Sequence, residues 1–291
     1  MRLEPALGAL AAVSLLALGS PSAADTADHA PASVTEEVIA VQRANLAEMT
    51  ADAGFGPQSP RDIDSIEGSN EHRFAFAPPY SQMNLCNIHL HKNAEHKGGE
   101  FTTFAGNGDG HGYGTGYRFN GELTAKELAP LDMKIGASSH GELLPGDTIE
   151  VHFVYSTANV SPGATLGACM NDAVINPQLR VETQVAVLVN DLRALDFVEL
   201  TEIQKVDGFY QALHMPTDMG KPVQYAGSTT GPDYNEKGSP FQVSWGVRPK
   251  VAKVNIASVG RWFTNNPFDE DHAHGVRNLV VNPDLLSAIG E

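Results

Sequence analysis

The chain has 291 residues, of which 42% are hydrophobic and 19% charged, and its formal net charge is −16. This composition supports a packed core and argues against wholesale disorder. The negative charge argues against a nucleic-acid partner, because a phosphate backbone selects a basic surface. The 28 glycines and 18 prolines favour a turn-rich β architecture, and chains of this length often form one domain.

The first 24 residues are typical of a secretory signal peptide. Arg2 precedes an apolar run over residues 6–19, and small residues at Ser22 and Ala24 suit cleavage after Ala24. The apolar run is short for a membrane span, although an uncleaved anchor or a buried helix is the alternative. We therefore expect a periplasmic or secreted protein that has no membrane contact after cleavage.

Residues 25–53 are expected to form a polar linker and an N-terminal helix. Ser33 and Glu36 have the spacing of a capping box. Four apolar residues recur at roughly helical intervals: Val34, Val38, Leu46 and Met49. The helix is expected to cover part of the body, with a dimer contact as the alternative, so the oligomeric state stays open between monomer and dimer.

From residue 54 onward, short apolar runs alternate with Gly, Pro, Asn and Asp, which is typical of strands bounded by turns. Four runs are the clearest strands: MNLCNIHLH (83–91), TIEVHFVYS (148–156), TQVAVLVND (183–191) and PFQVSWGV (240–247). No domain linker separates them, so residues 54–291 are expected to form a single domain. The glycine-rich stretch 106–122 lacks the lysine and the strand–loop–helix context of a phosphate-binding loop.

The stretch CNIHLHKNAEH, residues 86–96, contains three histidines and a cysteine. Because side chains alternate along a strand, Asn87, His89 and His91 share one face and Cys86 lies on the other. Two histidines at this spacing can bind one metal ion, although the pattern fits an ordinary exposed pair of histidines about equally well. Cys86 is expected to form a disulfide with Cys169 rather than to bind metal.

The strand TIEVHFVYS supplies a third candidate ligand. Glu150, His152 and Val154 share one of its faces, and His152 would complete a three-histidine zinc site with an open position for water. Glu150 could accept the proton of the His152 nitrogen that does not bind metal. His111 is the rival third ligand. Four further histidines are expected at the surface: His140, His214, His272 and His274.

These motifs resemble the α-class carbonic anhydrases, in which HxH, EH and ExH follow one another. Further segments match in the same order: QSPRDID (58–64), EHRF (71–74), QVAVL (184–188), QYAGSTTGP (224–232) and FQVSWGV (241–247). NIHLHKNAEHK is similar to the δ-class form of diatoms and bacteria, and HGVRNLVVN (274–282) gives a looser match. The resemblance implies a mainly β (α+β) fold: a twisted, largely antiparallel central sheet with short peripheral helices.

The resemblance also implies zinc as the cofactor and carbon dioxide and bicarbonate as the small-molecule substrates. His89, His91 and His152 fall on the family's zinc ligands, and Glu150 falls on the glutamate behind them. Zinc held in this way lowers the pKa of bound water to about 7, a value that comes from carbonic anhydrase itself. The implied activity is the reversible hydration of carbon dioxide; a non-catalytic zinc-binding relative or a zinc esterase is the alternative.

Thr229 falls on the family's gatekeeper threonine, whose hydroxyl donates to a buried glutamate, here Glu95. His96 and Tyr225 fall beside that pair. Only three residues separate HLH from EH in this chain, so Glu95 has to reach Thr229 by a different path.

Other residues fall on the pocket walls of the family. Val154, Val187 and Thr230 fall on the substrate pocket, and His72 lies near the position of the proton-shuttle histidine. Ser228 replaces a leucine and would make that wall more polar.

Overall fold

The computed structural model describes Met1 and residues 33–290. Residues 33–290 belong to one compact unit that spans residues 31–291. The predicted signal peptide and linker lie, apart from Met1, outside the described residues. Within the described part of the chain, no helix is both long and apolar enough to cross a membrane.

The described residues contain few helices and many short strands. The α-helices are α1 (Glu36–Thr50), α2 (Phe197–Leu200) and α3 (Ile256–Thr264), and short 3₁₀ helices span Tyr80–Gln82, Leu166–Cys169, Pro232–Asn235 and Pro283–Leu285. The strands are β1 (Asn84–Lys92), β2 (Thr103–Phe104), β3 (Tyr117–Arg118), β4 (Ile135–Ser138), β5 (Gly141–Leu143), β6 (Thr148–Ser156), β7 (Leu179–Val189), β8 (Ile203–Val206), β9 (Phe209–Ala212), β10 (Val223–Ser228), β11 (Gln242–Val247) and β12 (Ala252–Asn255).

The predicted N-terminal helix is present as α1, but its predicted capping box is wrong. Thr35, not Ser33, is the residue before the first turn, and no side chain caps it. The carboxylate of Glu36 instead accepts a hydrogen bond of 3.1 Å from Asn107. Glu36 therefore bonds to Asn107 of the glycine-rich stretch instead of forming a capping box at the start of the helix.

Helix α1 covers the C-terminal part of the body, as expected. Leu46 forms a small buried cluster with three residues of that part: Val280, Leu285 and Leu286. Val38 and Met49 are exposed, because the buried side of the helix is formed by Ile39, Gln42, Leu46 and Thr50 instead.

The centre of the fold is a six-stranded sheet in the order β1-β6-β7-β11-β10, with β12 paired to β7. Neighbours among β1, β6 and β7 are antiparallel, as are β10 and β11. Both β11 and β12 run parallel to β7, which makes the sheet mixed. The prediction of a mainly β chain with short helices is confirmed.

Both faces of the sheet are covered near its middle, and every residue of β6 is buried. Ile149, Val151 and Phe153 point into a large apolar cluster that includes residues of α3 and β12. Because side chains alternate, Glu150 and His152 point to the opposite face. The sheet therefore separates an apolar core from the polar groups of the candidate site.

A β-bulge in β1 overturns the predicted face of Cys86. The register shifts between Leu85 and Asn87, and Cys86 packs in the cluster of Val154, on the face of the histidines. A bulge inserts one extra residue, so simple alternation gives the wrong face there. The predicted disulfide between Cys86 and Cys169 is present.

Candidate metal centre

Strand pairing brings the three predicted histidine ligands together. His89 lies directly opposite His152 in the β1–β6 pair, and His91 lies opposite Glu150. One nitrogen of each histidine lies within 4.8 Å of the other two. All three histidines line a cavity of about 210 Å³. The described residues thus include a histidine cluster that could hold a metal ion.

Hydrogen bonds on the far side of two rings determine where their protons lie. Nδ1 of His89 lies 2.7 Å from Oδ1 of Asn87, and Nδ1 of His91 lies 2.7 Å from the carbonyl oxygen of Gly275. Both oxygens can only accept, so both Nδ1 atoms must carry the proton. The Nε2 atoms of His89 and His91 therefore keep their lone pairs.

His152 has the opposite arrangement. Its Nε2 lies 2.7 Å from a carboxylate oxygen of Glu150, so Nε2 donates and Nδ1 keeps the lone pair. This Nδ1 lies 3.2 Å from Nε2 of His89. Two lone pairs at this distance repel each other unless a cation lies between them.

The nitrogen of His91 completes the set. Its Nε2 is buried and has no hydrogen-bond partner among the described residues. Three lone-pair nitrogens thus converge, which is the donor set of a tetrahedral zinc site with one open position. The residues present fit a zinc ion.

Burial favours the neutral, metal-binding form of these rings. Burial, together with the charge of neighbouring histidines, places the pKa of His89 well below its ordinary value. The same causes lower the pKa of His91 to about 4. Neutral imidazole is the form that binds metal, so no proton has to be displaced from these two rings near pH 7.

Glu150 holds two histidines at once. One of its oxygens accepts from His152 and, at 2.7 Å, from Nδ1 of His96, and the other accepts from the His96 backbone at 3.0 Å. Burial raises the pKa of the Glu150 carboxyl, but the charge of His96 and the two imidazole hydrogen bonds outweigh it. The pKa of Glu150 consequently lies well below its ordinary value, and the group stays ionised.

Tyr225 closes this buried chain of contacts. Nε2 of His96 lies 2.6 Å from the hydroxyl of Tyr225, which donates to Ser59 at 3.0 Å. Burial raises the pKa of Tyr225, so the phenol keeps its proton. The structure therefore links Glu150, His96 and Tyr225 by hydrogen bonds, whereas the sequence motifs place His96 and Tyr225 beside Glu95 and Thr229.

Glu95 contacts Arg277 rather than Thr229. Its Oε1 accepts from the backbone nitrogen of Arg277 at 3.0 Å, and Nε of the guanidinium lies 3.7 Å away. Thr229 and Glu95 both line the cavity, but among the described residues no hydrogen bond joins them. In place of the predicted contact with Thr229, Glu95 is paired with Arg277.

Arg277 is a residue that the motif comparison did not assign. Its guanidinium is buried and donates to the carbonyl oxygen of Ser228 at 3.1 Å. Burial raises the pKa of Glu95, but the charges of His91 and Arg277 outweigh it and leave that pKa lowered. Arg277 thus joins an ionised Glu95 to the strand end that precedes Thr229.

The two valines that were predicted to form the apolar wall of the cavity do not line it. Thr230 lines the cavity, but Val154 packs in a buried cluster and Val187 lies opposite Thr148, away from His152. The register of β6 and β7 places Val187 too far along the sheet to reach the cavity. Leu166 is the apolar side chain on the wall, and nothing in the local sequence distinguished it.

Ser228 is fully buried and bonds to the backbone of Ser59. Its hydroxyl therefore points away from the cavity, and the expectation of a more polar wall is wrong.

His72 and His111 are not part of the histidine cluster. His72 is exposed and lines a different groove of about 450 Å³, beside Ser69 and Ser287. His111 is exposed in the glycine-rich stretch. Neither is among the described residues that line the histidine cavity, so the expected shuttle position and the rival ligand are both wrong.

His274 reaches the cavity, although the sequence predicted a surface position. Its ring stacks on His89, with centroids 5.5 Å apart and planes 18° apart, and its Nε2 lies 2.7 Å from the Glu270 carboxylate. Both residues line the cavity. The loose match at HGVRNLVVN was the available signal, since it begins at His274.

The family match agrees with this geometry. The sequence model described as delta carbonic anhydrase matches residues 80–258, which is more than half of the chain. The chain belongs to the delta carbonic anhydrase family. The predicted resemblance to the carbonic anhydrases is confirmed by this match. No curated protein matches the sequence.

Solved carbonic anhydrases give weak structural alignments. A hyperthermostable enzyme from an active hydrothermal vent chimney aligns at 15% identity and TM-score 0.28, over 81% of this chain and 88% of its own. The α-carbonic anhydrase of Thermovibrio ammonificans, in complex with sulfanilamide, aligns at 14% identity and TM-score 0.27, over 80% of this chain and 87% of its own. The α-carbonic anhydrase of Photobacterium profundum aligns at 17% identity and TM-score 0.25, over 79% of this chain and 89% of its own. These scores are low, so the membership rests on the family match.

Proposed function

We propose that the protein catalyses the reversible hydration of carbon dioxide with a zinc ion bound by His89, His91 and His152. The convergence of three lone-pair nitrogens carries this proposal, because the protons of all three rings are directed away from one another by acceptor oxygens. A disordered surface cluster of histidines would have no such set of fixed partners.

The surrounding residues define what the site can do. When bound, zinc supplies a Lewis acid that makes hydroxide available near neutral pH. Asn87, Gly275 and Glu150 hold the three rings in the required orientation. Thr229 and Thr230 offer hydroxyl groups on the cavity wall, and Leu166 offers apolar surface for a nonpolar substrate.

Zinc content and hydration activity test the proposal directly. The purified protein is expected to contain one zinc per chain by elemental analysis and to hydrate carbon dioxide in a stopped-flow assay. His152→Ala is expected to lose both, because it removes one of three ligands. His214→Ala is the control, since this half-exposed histidine pairs with Glu202 and does not line the cavity.

The outcomes separate the alternatives. Zinc without hydration would support a non-catalytic relative, and ester cleavage without hydration would support an esterase. Full activity of His152→Ala would contradict the ligand assignment.

We also propose that the protein is exported to the periplasm or secreted. The signal-like N-terminus supports this, and the disulfide between Cys86 and Cys169 suits an oxidising compartment. N-terminal sequencing of the protein recovered from a periplasmic or culture fraction is expected to begin at Asp25. Recovery only in the cytoplasm with Met1 present would contradict export.

A further inference from the structure

The turn formed by residues 163–169, here called the anchored turn, is fixed to β1 at both ends. At its start, the backbone nitrogen of Gly163 donates to the carbonyl oxygen of Cys86 at 3.0 Å. At its end, Cys169 forms the disulfide with Cys86, and its carbonyl oxygen accepts from Ser156 at 2.6 Å. One residue of β1 therefore holds both ends of the turn.

Asn87, the next residue of β1, connects the anchored turn to His89. Its side-chain nitrogen donates to the carbonyl oxygen of Gly163 at 3.1 Å, while its oxygen lies 2.7 Å from Nδ1 of His89. A carbonyl oxygen can only accept, so the amide NH₂ group has to face Gly163. The amide oxygen consequently has to face His89.

The orientation of this amide determines the tautomer of His89. An amide oxygen beside Nδ1 requires the proton on Nδ1 and leaves the lone pair on Nε2, which faces His152. A rotated amide would present NH₂ to Nδ1, and the ring would then have to place its proton on Nε2. In that tautomer the lone pair of His89 lies on Nδ1, which faces Asn87, and Nε2 has no lone pair to direct at a metal ion between His89 and His152.

We propose that the disulfide-anchored turn sets the metal-binding tautomer of His89 through Asn87, which acts as a positioning residue. The inference rests on the proposed role of His89 as a zinc ligand. The β-bulge makes the arrangement possible, because it places Cys86 on the histidine face beside Asn87. Without the disulfide, the anchored turn is held to β1 at its start by the hydrogen bond from Gly163 to Cys86 but has lost its covalent link at Cys169, so the acceptor of the Asn87 amide is less firmly fixed.

Zinc affinity of the metal-free protein, measured by competition with a chelator, tests this link independently of catalysis. Asn87→Leu is expected to weaken zinc binding roughly 10- to 100-fold, the range for lost hydrogen-bond partners of metal ligands. The double variant Cys86→Ala/Cys169→Ala is expected to weaken it about tenfold. The triple variant should match Asn87→Leu alone, because both changes act through one hydrogen bond.

Asn84→Leu is the matched control. Asn84 lies on the same strand, donates to Ala158 at 3.0 Å and accepts from Tyr210 at 3.1 Å. The Asn84→Leu variant therefore loses an equivalent pair of hydrogen bonds, neither of which involves a histidine. Its zinc affinity should stay within about twofold of wild type.

Reduction of the folded wild-type protein is a second measurement in case the cysteine variants do not fold. A dithiol reductant transfers two electrons and two protons to the disulfide and is itself oxidised to a disulfide. Circular dichroism checks that the fold survives, and zinc affinity should fall as in the double variant.

The outcomes distinguish this inference from the proposed function. A wild-type protein that binds no zinc overturns both. Tight zinc binding that is unchanged by loss of the disulfide overturns only the inference. Multiplied losses in the triple variant also overturn it, because they would show that the disulfide and Asn87 act separately.

Discussion

Two regions contribute side chains to the histidine cavity: the paired strands β1 and β6, and residues 270–278, here called the return segment. Different interactions fix the two regions in place. On the strands, alternation alone decides that His89, His91 and His152 face one side. The return segment forms no helix or strand, and it is fixed by backbone hydrogen bonds between His274 and residues Leu90 and Lys92.

The two regions also do different work at the site. The strands carry the three histidine nitrogens that converge. The return segment instead orients the His91 ring and neutralises the charge of Glu95. Its Gly275 carbonyl directs the His91 ring, its Arg277 partners Glu95, and its His274 stacks on His89. A regular framework thus presents the three histidines, while an irregular segment completes their surroundings. Variants of Glu150 on the strands and of Arg277 in the return segment should therefore separate metal binding from turnover.

The largest effect is expected on the strands. Glu150→Gln should weaken zinc binding roughly 10- to 100-fold, because an amide cannot accept from His96 and His152 in the same way. Glu182→Gln is the control: Glu182 is also buried but pairs with Arg180 outside the cavity. Chelator competition measures both, and equal losses would contradict a special role for Glu150.

In the return segment, Arg277→Leu should lower the hydration rate about tenfold, or 1.4 kcal/mol, while zinc stays bound. Glu95 loses its buried charge partner and Ser228 loses a donor. Arg248→Leu is matched, because Arg248 is a buried arginine that holds the backbone of Thr217 and Gly220. A fall in turnover for both variants would indicate a general loss of folding rather than an effect on the site.

A smaller effect is expected at the apolar wall. Leu166→Ala should raise KM for carbon dioxide roughly fourfold, because the small substrate is expected to cover only about one CH₂ group of the three carbons removed, which is worth about 0.8 kcal/mol. Met170→Ala removes a more exposed side chain close in sequence and should leave KM unchanged. Stopped-flow rates across carbon dioxide concentrations measure both, and an unchanged KM in Leu166→Ala would remove this residue from the substrate wall.

The smallest effects concern His274, which lines the cavity, and His72, which lines a different groove. His274→Ala should weaken zinc binding by about threefold, since it removes the ring stacked on His89 and a contact worth roughly 0.5–1.5 kcal/mol. His72→Ala should change zinc binding and hydration by less than about twofold, as for an ordinary surface substitution. A larger loss in His72→Ala than in His274→Ala would reverse this assignment.

The strands and the clustering of the three histidines could be predicted because a two-residue period is visible in the sequence. Alternation placed His89 and His91 on one face, and the ExH motif together with the family resemblance pointed to His152 as their neighbour. The face of Cys86 could not be predicted, because a bulge has no marker in NLCNIHLH. The position of Val187 depends on the register between β6 and β7, which alternation leaves undetermined.

The return segment was harder to predict for a different reason. His274 lies after an acidic run, and its charge pattern is that of an exposed loop. Its place at the cavity follows from backbone hydrogen bonds to Leu90 and Lys92, far earlier in the chain, which no local pattern encodes. The same holds for Leu166, whose turn is placed by a disulfide.

Strand β1 stands at the edge of the central sheet, where unpaired backbone groups could recruit a strand of another molecule. Near one end of this edge, Leu90 and Lys92 are bonded to His274, and near the other end Cys86 accepts from Gly163. The segments that complete the site thus also shield the histidine-bearing strand β1 from intermolecular sheet growth. Loosening either segment would be expected to favour aggregation as well as to weaken the site.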